Sequence, residues 1–370
     1  MARAFRVSLR TVQRWLERAA DERLDRVVWT DRSRAPHRRY RTDAALEDRI
    51  LSTRRSLRET SILGEYGAIA IRRELLARVE LTVPSVRTIG RILERRGALD
   101  ATHRVRRPAP PAGWYLPEVA ARRTELDSFD TIEGLRMQGG LVLEILTGIS
   151  LHGGLTAAWP EARLTAAHVS EALVAHWRAM GLPGYAQFDN AMIFHGSHGQ
   201  PDVFGRVIRV CASLGIVPVF VPPREMGFQA AIESFNGRWQ AKVWARVWSA
   251  SLDDLRGRSD AYITASRARH AVRIEAAPER RPFPADWALD LHQPPVGLVV
   301  YLRRTSDAGT IRVLGHTFLV DPLWPHRLVR TEVDLDRQQV RFFALRRRDP
   351  TDQPLLGAVP YVRLPARPRR

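Results

Sequence analysis

The chain has 370 residues, 45% of them hydrophobic, enough for two or more cores at the usual domain size of roughly 100–200 residues. Its formal charge of +18 comes from 58 basic against 40 acidic side chains, and a polyanionic partner, nucleic acid first among them, is the simplest reason to tolerate that self-repulsion. The single Cys211 excludes an internal disulfide and a zinc site built on several cysteines, and no run of about 18 uncharged apolar residues is present to span a membrane, so a cytoplasmic, nucleoid-associated setting is expected.

The first hundred residues read as helices. Within residues 1–60 there are 16 arginines against 9 acids, which concentrates the basic charge there. Residues 1–55 are expected to hold a helix-turn-helix. Its recognition helix would begin after an N-cap at Ser8 and place Leu9, Val12 and Leu16 on one face. Arg10, Gln13 and Arg14 then point the other way, toward a DNA groove; an ordinary amphipathic surface helix has the same pattern. Only a fragment of a supporting helix fits before it, so a truncated or misassigned start is expected. Residues 56–100 repeat the design: Val86, Ile89 and Leu93 form the apolar face, Arg87, Arg91 and Arg95 the basic one, and Gly97 is the stop. Residues 101–120, with the proline- and arginine-rich stretch 102–113, read as a linker.

From residue 121 to 285 strands and helices alternate. Residues 125–132 and 141–149 are strand-like, with Gly139-Gly140 as the turn before the second, and a further strand is expected over 150–158. A helix is expected over 165–180, with Val169, Leu173, His176 and Trp177 on one side and Gly181 at its end. A short strand over 185–188 leads into Asp189. Phe204, Val207, Ile208, Cys211 and Leu214 recur at helical spacing, and 216–221 suits a buried parallel strand, with Cys211 in the core. Residues 296–347 show several short alternating strands around turns at Gly315 and 336–339, which suggests a small β-barrel. Residues 348–370 form an arginine- and proline-rich tail, expected to be extended or mobile.

Three acids stand in contexts that set them apart. Asp127 lies on a strand, Asp189 follows a strand at an apparent loop, and ligands of open α/β sheets gather at the carboxyl ends of strands. Glu233 sits on a helix whose stripe Phe228, Ile232, Phe235, Trp239 and Val243 is apolar, leaving Glu233, Asn236 and Gly237 on the adjoining face. Three converging carboxylates hold a pair of hard cations roughly 4 Å apart for in-line displacement at phosphorus. Asp130 competes with Asp127: three residues apart on one strand, the two face opposite sides of the sheet, so only one of them meets the other acids. His195 and His198 fall in a glycine-rich loop and read as solvated, and Glu144 as structural. Asn190 and Asn236 are placed to orient phosphate or water, and Arg224, Arg238 and Lys242 to hold DNA backbone.

Thr-Glu-Leu-Asp opening a strand, Gln-Phe-Asp-Asn after another and Ile-Glu-Ser-Phe-Asn-Gly on a helix resemble the three motifs of the retroviral integrase superfamily, bacterial insertion-sequence transposases in particular. The resemblance covers about residues 2–345. It implies an α/β ribonuclease-H-like catalytic core preceded by all-α helix-turn-helix domains and followed by a small all-β barrel. It also implies Mg²⁺ or Mn²⁺ as cofactor, double-stranded DNA at transposon ends and target as substrate, and a homo-oligomer on DNA. By motif position the metal ligands and catalytic residues would be Asp127, Asp189 and Glu233, with Asp127 preferred to Asp130 because it follows the Glu-Leu pair. Asp189 and Glu233 are farther apart in sequence than is usual in that family, and the loop 194–201 has room for the extra residues. A catalytically inactive transposase descendant, a helix-turn-helix regulator and a nuclease without strand transfer are the alternatives.

Overall fold

The computed structural model describes residues 2, 4, 7–27, 29, 42–78, 83–99, 112–197, 201–225, 227–246, 248–347 and 349–361. Two compact units are present, Met1–Ser52 and Thr53–Arg370. In the first, helix α1 (Leu9–Ala19) starts as expected: the Ser8 hydroxyl caps it by accepting from the Thr11 amide at 3.1 Å. Of its apolar positions only Val12 is buried, while Leu9 is 67% and Leu16 57% exposed. The packed face expected there is therefore not formed by the described residues, and most of 28–41 lies outside them. Helix α2 (Ala44–Thr60) follows in sequence.

In the second unit α3 (Ala68–Ala77) packs on α4 (Val86–Arg95). Ile71, Leu75, Ile89, Ile92 and Leu93 are buried there, Ser85 caps α4 through the Thr88 amide at 3.2 Å, and Arg87 and Arg91 are left exposed. Arg246 anchors the segment leading into these helices by donating to the backbone carbonyls of Arg58, Glu59 and Ser61. The linker expected over 101–120 ends sooner than the composition suggests. Residues 101–111 are outside the described set, but Trp114, Tyr115, Leu116 and Val119 are buried, the last on the short helix α5 (Pro117–Ala120). They pack with Leu126, Val219, Phe228 and Val300, because three large apolar side chains in a row gain more from burial than a tether gains from freedom.

The strands β1 (Leu126–Arg136), β2 (Val142–Ser150), β3 (Thr156–Glu161), β4 (Tyr185–Phe188) and β5 (Val217–Phe220) lie in the order β3-β2-β1-β4-β5. β2 is antiparallel to β1 and β3, whereas β1, β4 and β5 are parallel. That mixed sheet is the ribonuclease-H-like arrangement. The β1–β2 turn uses Gly139 and Gly140 at φ +90° and +87°, where a Cβ would be strained. The strand expected from Ser150 begins only at Thr156, after a turn in which the buried Glu125 carboxylate accepts from the amides of His152 and Gly153, each at 2.8 Å.

Helices cover both faces. On one, α6 (Ala166–Met180) and α8 (Arg206–Ser213) bury Val169, Leu173, Trp177, Val207 and Cys211 against Phe129 and Phe188. Thr165 caps α6 and Gly181 follows its end, as expected. On the other, α9 (Ala230–Trp239), its π-helical continuation Gln240–Trp244 and α10 (Leu252–Arg269) bury Ile232, Phe235, Trp239 and Val243; the short α11 (Ala271–Glu275) follows. The short α7 (Met192–His195) puts His195 in the core, its ring edge-on to Phe220 and Tyr301. This corrects the solvated reading of His195; His198 lies outside the described residues. Glu144 is structural, accepting from the Leu164 amide at 2.6 Å. Among the described residues no helix is long and apolar enough to cross a membrane.

The C-terminal strands do not form the expected separate barrel. β6 (Leu298–Arg304) pairs parallel with β5, Val219 with Val300 and Phe220 with Tyr301. β9 (Leu328–Asp334), β10 (Gln339–Ala344) and β11 (Leu355–Pro360) then extend the core sheet into nine strands. The hairpin β7 (Thr310–Val313) and β8 (His316–Leu319) turns at Leu314-Gly315 as expected but stands as its own sheet. The expected tail contributes β11, whose backbone completes the ladder on β10. Because β5 is an inner strand, removing residues 296–370 would bare its edge and the apolar Val219. Such a truncation is expected to give aggregated protein, measured as loss of the soluble fraction on size exclusion, where a detachable barrel would leave a soluble core.

Candidate active site

The pleat of β1 decides which acid meets which. Asp127 and Phe129 face α6; Ser128, Asp130 and Ile132 face α9. Asp127 is 1% exposed and is held by the Arg280 guanidinium, which donates to both its oxygens, and by Trp177 Nε1 at 3.1 Å. His176 lies 3.9 Å away; burial pushes its imidazole down to about 4, so it is neutral at pH 7. A carboxylate saturated by a bidentate arginine in the core is a structural tie. Asp127 is thus withdrawn on the opposite face of the sheet from Glu233, and the preference for it over Asp130 is corrected: motif position pointed to the residue that the packing uses as a tie.

Asp130 has the surroundings of a working carboxylate. Its oxygens accept from the Thr131 amide and from Asn236 Nδ2, both at 2.9 Å, and Asn236 is oriented in turn by Thr147, whose hydroxyl donates to Asn236 Oδ1 at 2.7 Å. Burial raises the Asp130 carboxyl to about 6, opposed by the Thr131 amide bond and reinforced by the negative charges of Asp189 and Glu233. The Asp130 carboxyl thus lies within the electrostatic reach of both other acids. Asp189, at the carboxyl end of β4, is raised by burial while the Ala191 amide, 2.9 Å from Oδ1, opposes the shift. Glu233, in the first turn of α9, is exposed. The helix fixes it there because Ile232, Phe235 and Trp239 are buried beneath.

Among the described residues no three His, Cys, Asp or Glu side chains stand as a ready metal cage. The donor chemistry nevertheless suits a hard divalent cation: three carboxylates, of which Asp130 is disfavoured as an anion first by burial and then by the charges of Asp189 and Glu233, a cost that a cation would relieve.

The supporting residues divide. Asn190 does not face outward toward phosphate; its Nδ2 donates to the Val221 carbonyl at 2.7 Å and its Oδ1 accepts from Arg303. Lys242 is spent on folding, donating to the Gly64 carbonyl at 3.2 Å with its ammonium over the Tyr66 ring, which removes it from the expected DNA contacts. Arg238 and Arg224 are exposed, as are Arg10, Gln13 and Arg14 on α1. Thr147 and Arg280 escaped notice in the sequence: an isolated threonine on a strand and one arginine among many carry no local signal.

No protein-family model and no curated protein matches this chain. Among solved structures it is similar to a chain of the simian T-cell lymphotropic virus intasome in complex with PP2A regulatory subunit B56γ, at 11% identity over 70% of this chain and 87% of that one, with a TM-score of 0.34. It is also similar to the HTLV-2 integrase catalytic core domain in complex with magnesium, at 14% identity over 43% and 88% with a TM-score of 0.29. The BIV integrase catalytic core domain follows at 15% identity over 41% and 94%, TM-score 0.28. These are retroviral integrase structures. Likeness this distant carries no weight beside the strand order and the placement of the acids.

Two outcomes follow from the two faces of β1. Asp127→Asn leaves Arg280 without its buried counter-charge and is expected to cost about 3–5 kcal/mol of stability, read by urea unfolding. For Asp130 the sign runs the other way. A carboxyl raised from 3.8 to about 6 binds its proton more tightly in the folded state, so wild type loses stability as pH rises between those values. The melting temperature of Asp130→Asn relative to wild type, in metal-free buffer, is expected to rise from pH 4 to pH 7; a flat difference would contradict the assignment.

Proposed function

We propose that the chain is a DNA-acting polynucleotidyl transferase of the insertion-sequence transposase kind, with Asp130, Asp189 and Glu233 as its metal-holding, catalytic acids. The observation that carries this reading is the placement of Asp130 on the α9 face of a ribonuclease-H-like sheet, hydrogen-bonded to Asn236 on the helix that carries Glu233, with Asp189 at the end of the neighbouring β4. Mg²⁺ or Mn²⁺ held there would supply Lewis-acid polarisation of a phosphodiester and an activated water or 3′-hydroxyl. The chain's own residues provide the positioning. Asn236, locked by Thr147, aims the Asp130 carboxylate; the Ala191 amide aims Asp189; the buried stripe of α9 holds Glu233 at the mouth of the site. An ionised Asp130 is the form that binds a cation, so the affinity for metal rises as pH approaches about 6, the value for the metal-free site.

The basic face of α4, with Arg87 and Arg91 exposed, and Arg10, Gln13 and Arg14 on α1 support recognition of double-stranded DNA, and the exposed Arg238, on the helix that carries Glu233, supports backbone contact. A homo-oligomer on DNA follows from the joining of two element ends. The test is incubation of the purified protein with Mg²⁺ or Mn²⁺ and DNA carrying the inverted repeats that flank its coding region. Asp130→Asn, Asp189→Asn and Glu233→Gln are each expected to reduce cleavage and joining at least about 100-fold while the folded variants still bind DNA. Wild-type protein that binds such DNA without cutting it would leave a DNA-binding, inactive descendant instead. Cleavage surviving in Asp130→Asn would show the acids to be misassigned.

A further inference from the structure

Three parallel strands end beside one cavity. Asp189 and Asn190 follow β4, Val221 and Pro223 follow β5, and Arg303 lies near the carboxyl end of β6. Asn190, Ser197, Pro223, Arg303, Arg312 and Gly315 are among the residues lining a cavity of about 350 Å³ there, at the edge where ligands of α/β sheets collect. The β7–β8 hairpin closes its far wall. Gly315 at the hairpin tip approaches Pro201 so closely that a Cβ would meet its Cα at 2.8 Å. His316 Nε2 and the Tyr361 hydroxyl meet Asp202 Oδ1 at 2.9 and 2.6 Å, and the Asp202 amide donates to the Leu314 carbonyl at 3.2 Å. Arg312 is therefore presented from a pinned hairpin.

The charge balance of this cavity is unusual. Arg303 donates to the Val221 and Leu302 carbonyls at 3.2 and 2.8 Å and to Asn190 Oδ1 at 2.8 Å, and lies 5.0 Å from the centre of the Tyr301 ring. None of these partners is an anion. Burial pushes its guanidinium down to about 10, as expected of a half-buried cation that has no counter-charge beside it. Arg312 is exposed, and among the described residues neither arginine pairs with a carboxylate. Buried charge is ordinarily paired, and guanidinium groups match phosphate oxygens in fork geometry.

We infer that this cavity is a phosphate subsite that holds one backbone phosphate of the DNA strand next to the Asp189 end of the active site. It rests on the DNA-acting reading above and goes beyond it by giving the sheet extension a role: β6 and the hairpin bring in the two arginines that the ribonuclease-H-like strands lack. Arg303 anchors and also ties Asn190, beside Asp189; Arg312 reaches in from the opposite wall.

The test uses the full chain, a fluorescein-labelled random-sequence duplex and fluorescence anisotropy across a salt series. Arg312→Ala, an exposed change, is expected to weaken binding about 5–10-fold and to reduce the slope of log K against log salt by about 0.9, with Arg312→Lys restoring most of it. Arg303→Met is expected to do the same if its melting temperature stays near that of wild type, and Arg312 carries the test if it does not. Affinity and slope unchanged in Arg312→Ala overturn the inference. Competition by millimolar inorganic phosphate or deoxyadenosine monophosphate as effective as competition by unlabelled duplex would mean that the site takes free phosphate, and would overturn it too. If Arg312→Ala binds like wild type while Asp130→Asn still abolishes cleavage, this inference alone fails and the catalytic reading stands.

Discussion

The two-residue period of β1 is the constraint on which the site depends. Asp127 and Asp130, three positions apart, must leave opposite faces of the same sheet, and the helices on those faces give them opposite work. On the α6 side the buried Asp127 meets Arg280, Trp177 and a neutral His176, a setting that ties it into an ion pair on the face away from Glu233. On the α9 side Asp130 is partly open and shares its field with Asp189 and Glu233. One carboxylate holds the strand in place so that the other can be held under repulsion.

Such repulsion has to be supported by the surrounding packing. Trp239, Phe235 and Ile232 root α9 in the sheet, and Asn236 on the same helix meets Asp130 while Thr147 on β2 fixes Asn236. The acid on the strand and the helix that carries Glu233 are thereby joined through one short chain of hydrogen bonds. The parallel pairing of β5 with β6 extends the same rigid frame, so that the strand ends carrying Asp189, Val221 and Arg303 lie along one edge of it.

Much of this was legible in local pattern. The helix of 165–180, the strand 185–188, the buried stripe from Ile232 to Val243 and the Ser8 cap follow from periodicity and capping chemistry, which act within a few residues; Phe228, expected on the same stripe, precedes the helix and packs with Trp114 and Tyr115 instead. What failed depends on distant partners. Alternation on β1 shows that Asp127 and Asp130 oppose each other but not which face receives Glu233; only Arg280, far along the chain, settles which one is tied. Likewise the alternation in Val329–Leu335 and Val340–Ala344 identifies strands, whereas closure into a barrel or continuation of the core sheet hinges on whether β6 finds β5. Residues 114–119 looked like the end of a linker because proline and arginine precede them, and the aromatic pair Trp114-Tyr115 was the overlooked signal of burial. His195 read as a loop residue because glycines flank it, although Phe194 beside it is fully buried.

Asp130, and not Asp127, is the acid proposed for the metal-holding set. Calorimetric titration of the full chain with Mn²⁺, comparing wild type with Asp130→Asn and Asp127→Asn at a temperature where all three are folded, tests it most directly. Asp130→Asn is expected to weaken Mn²⁺ binding at least about 10-fold and Asp127→Asn to bind as wild type does. Loss of binding in Asp127→Asn with retention in Asp130→Asn would contradict it.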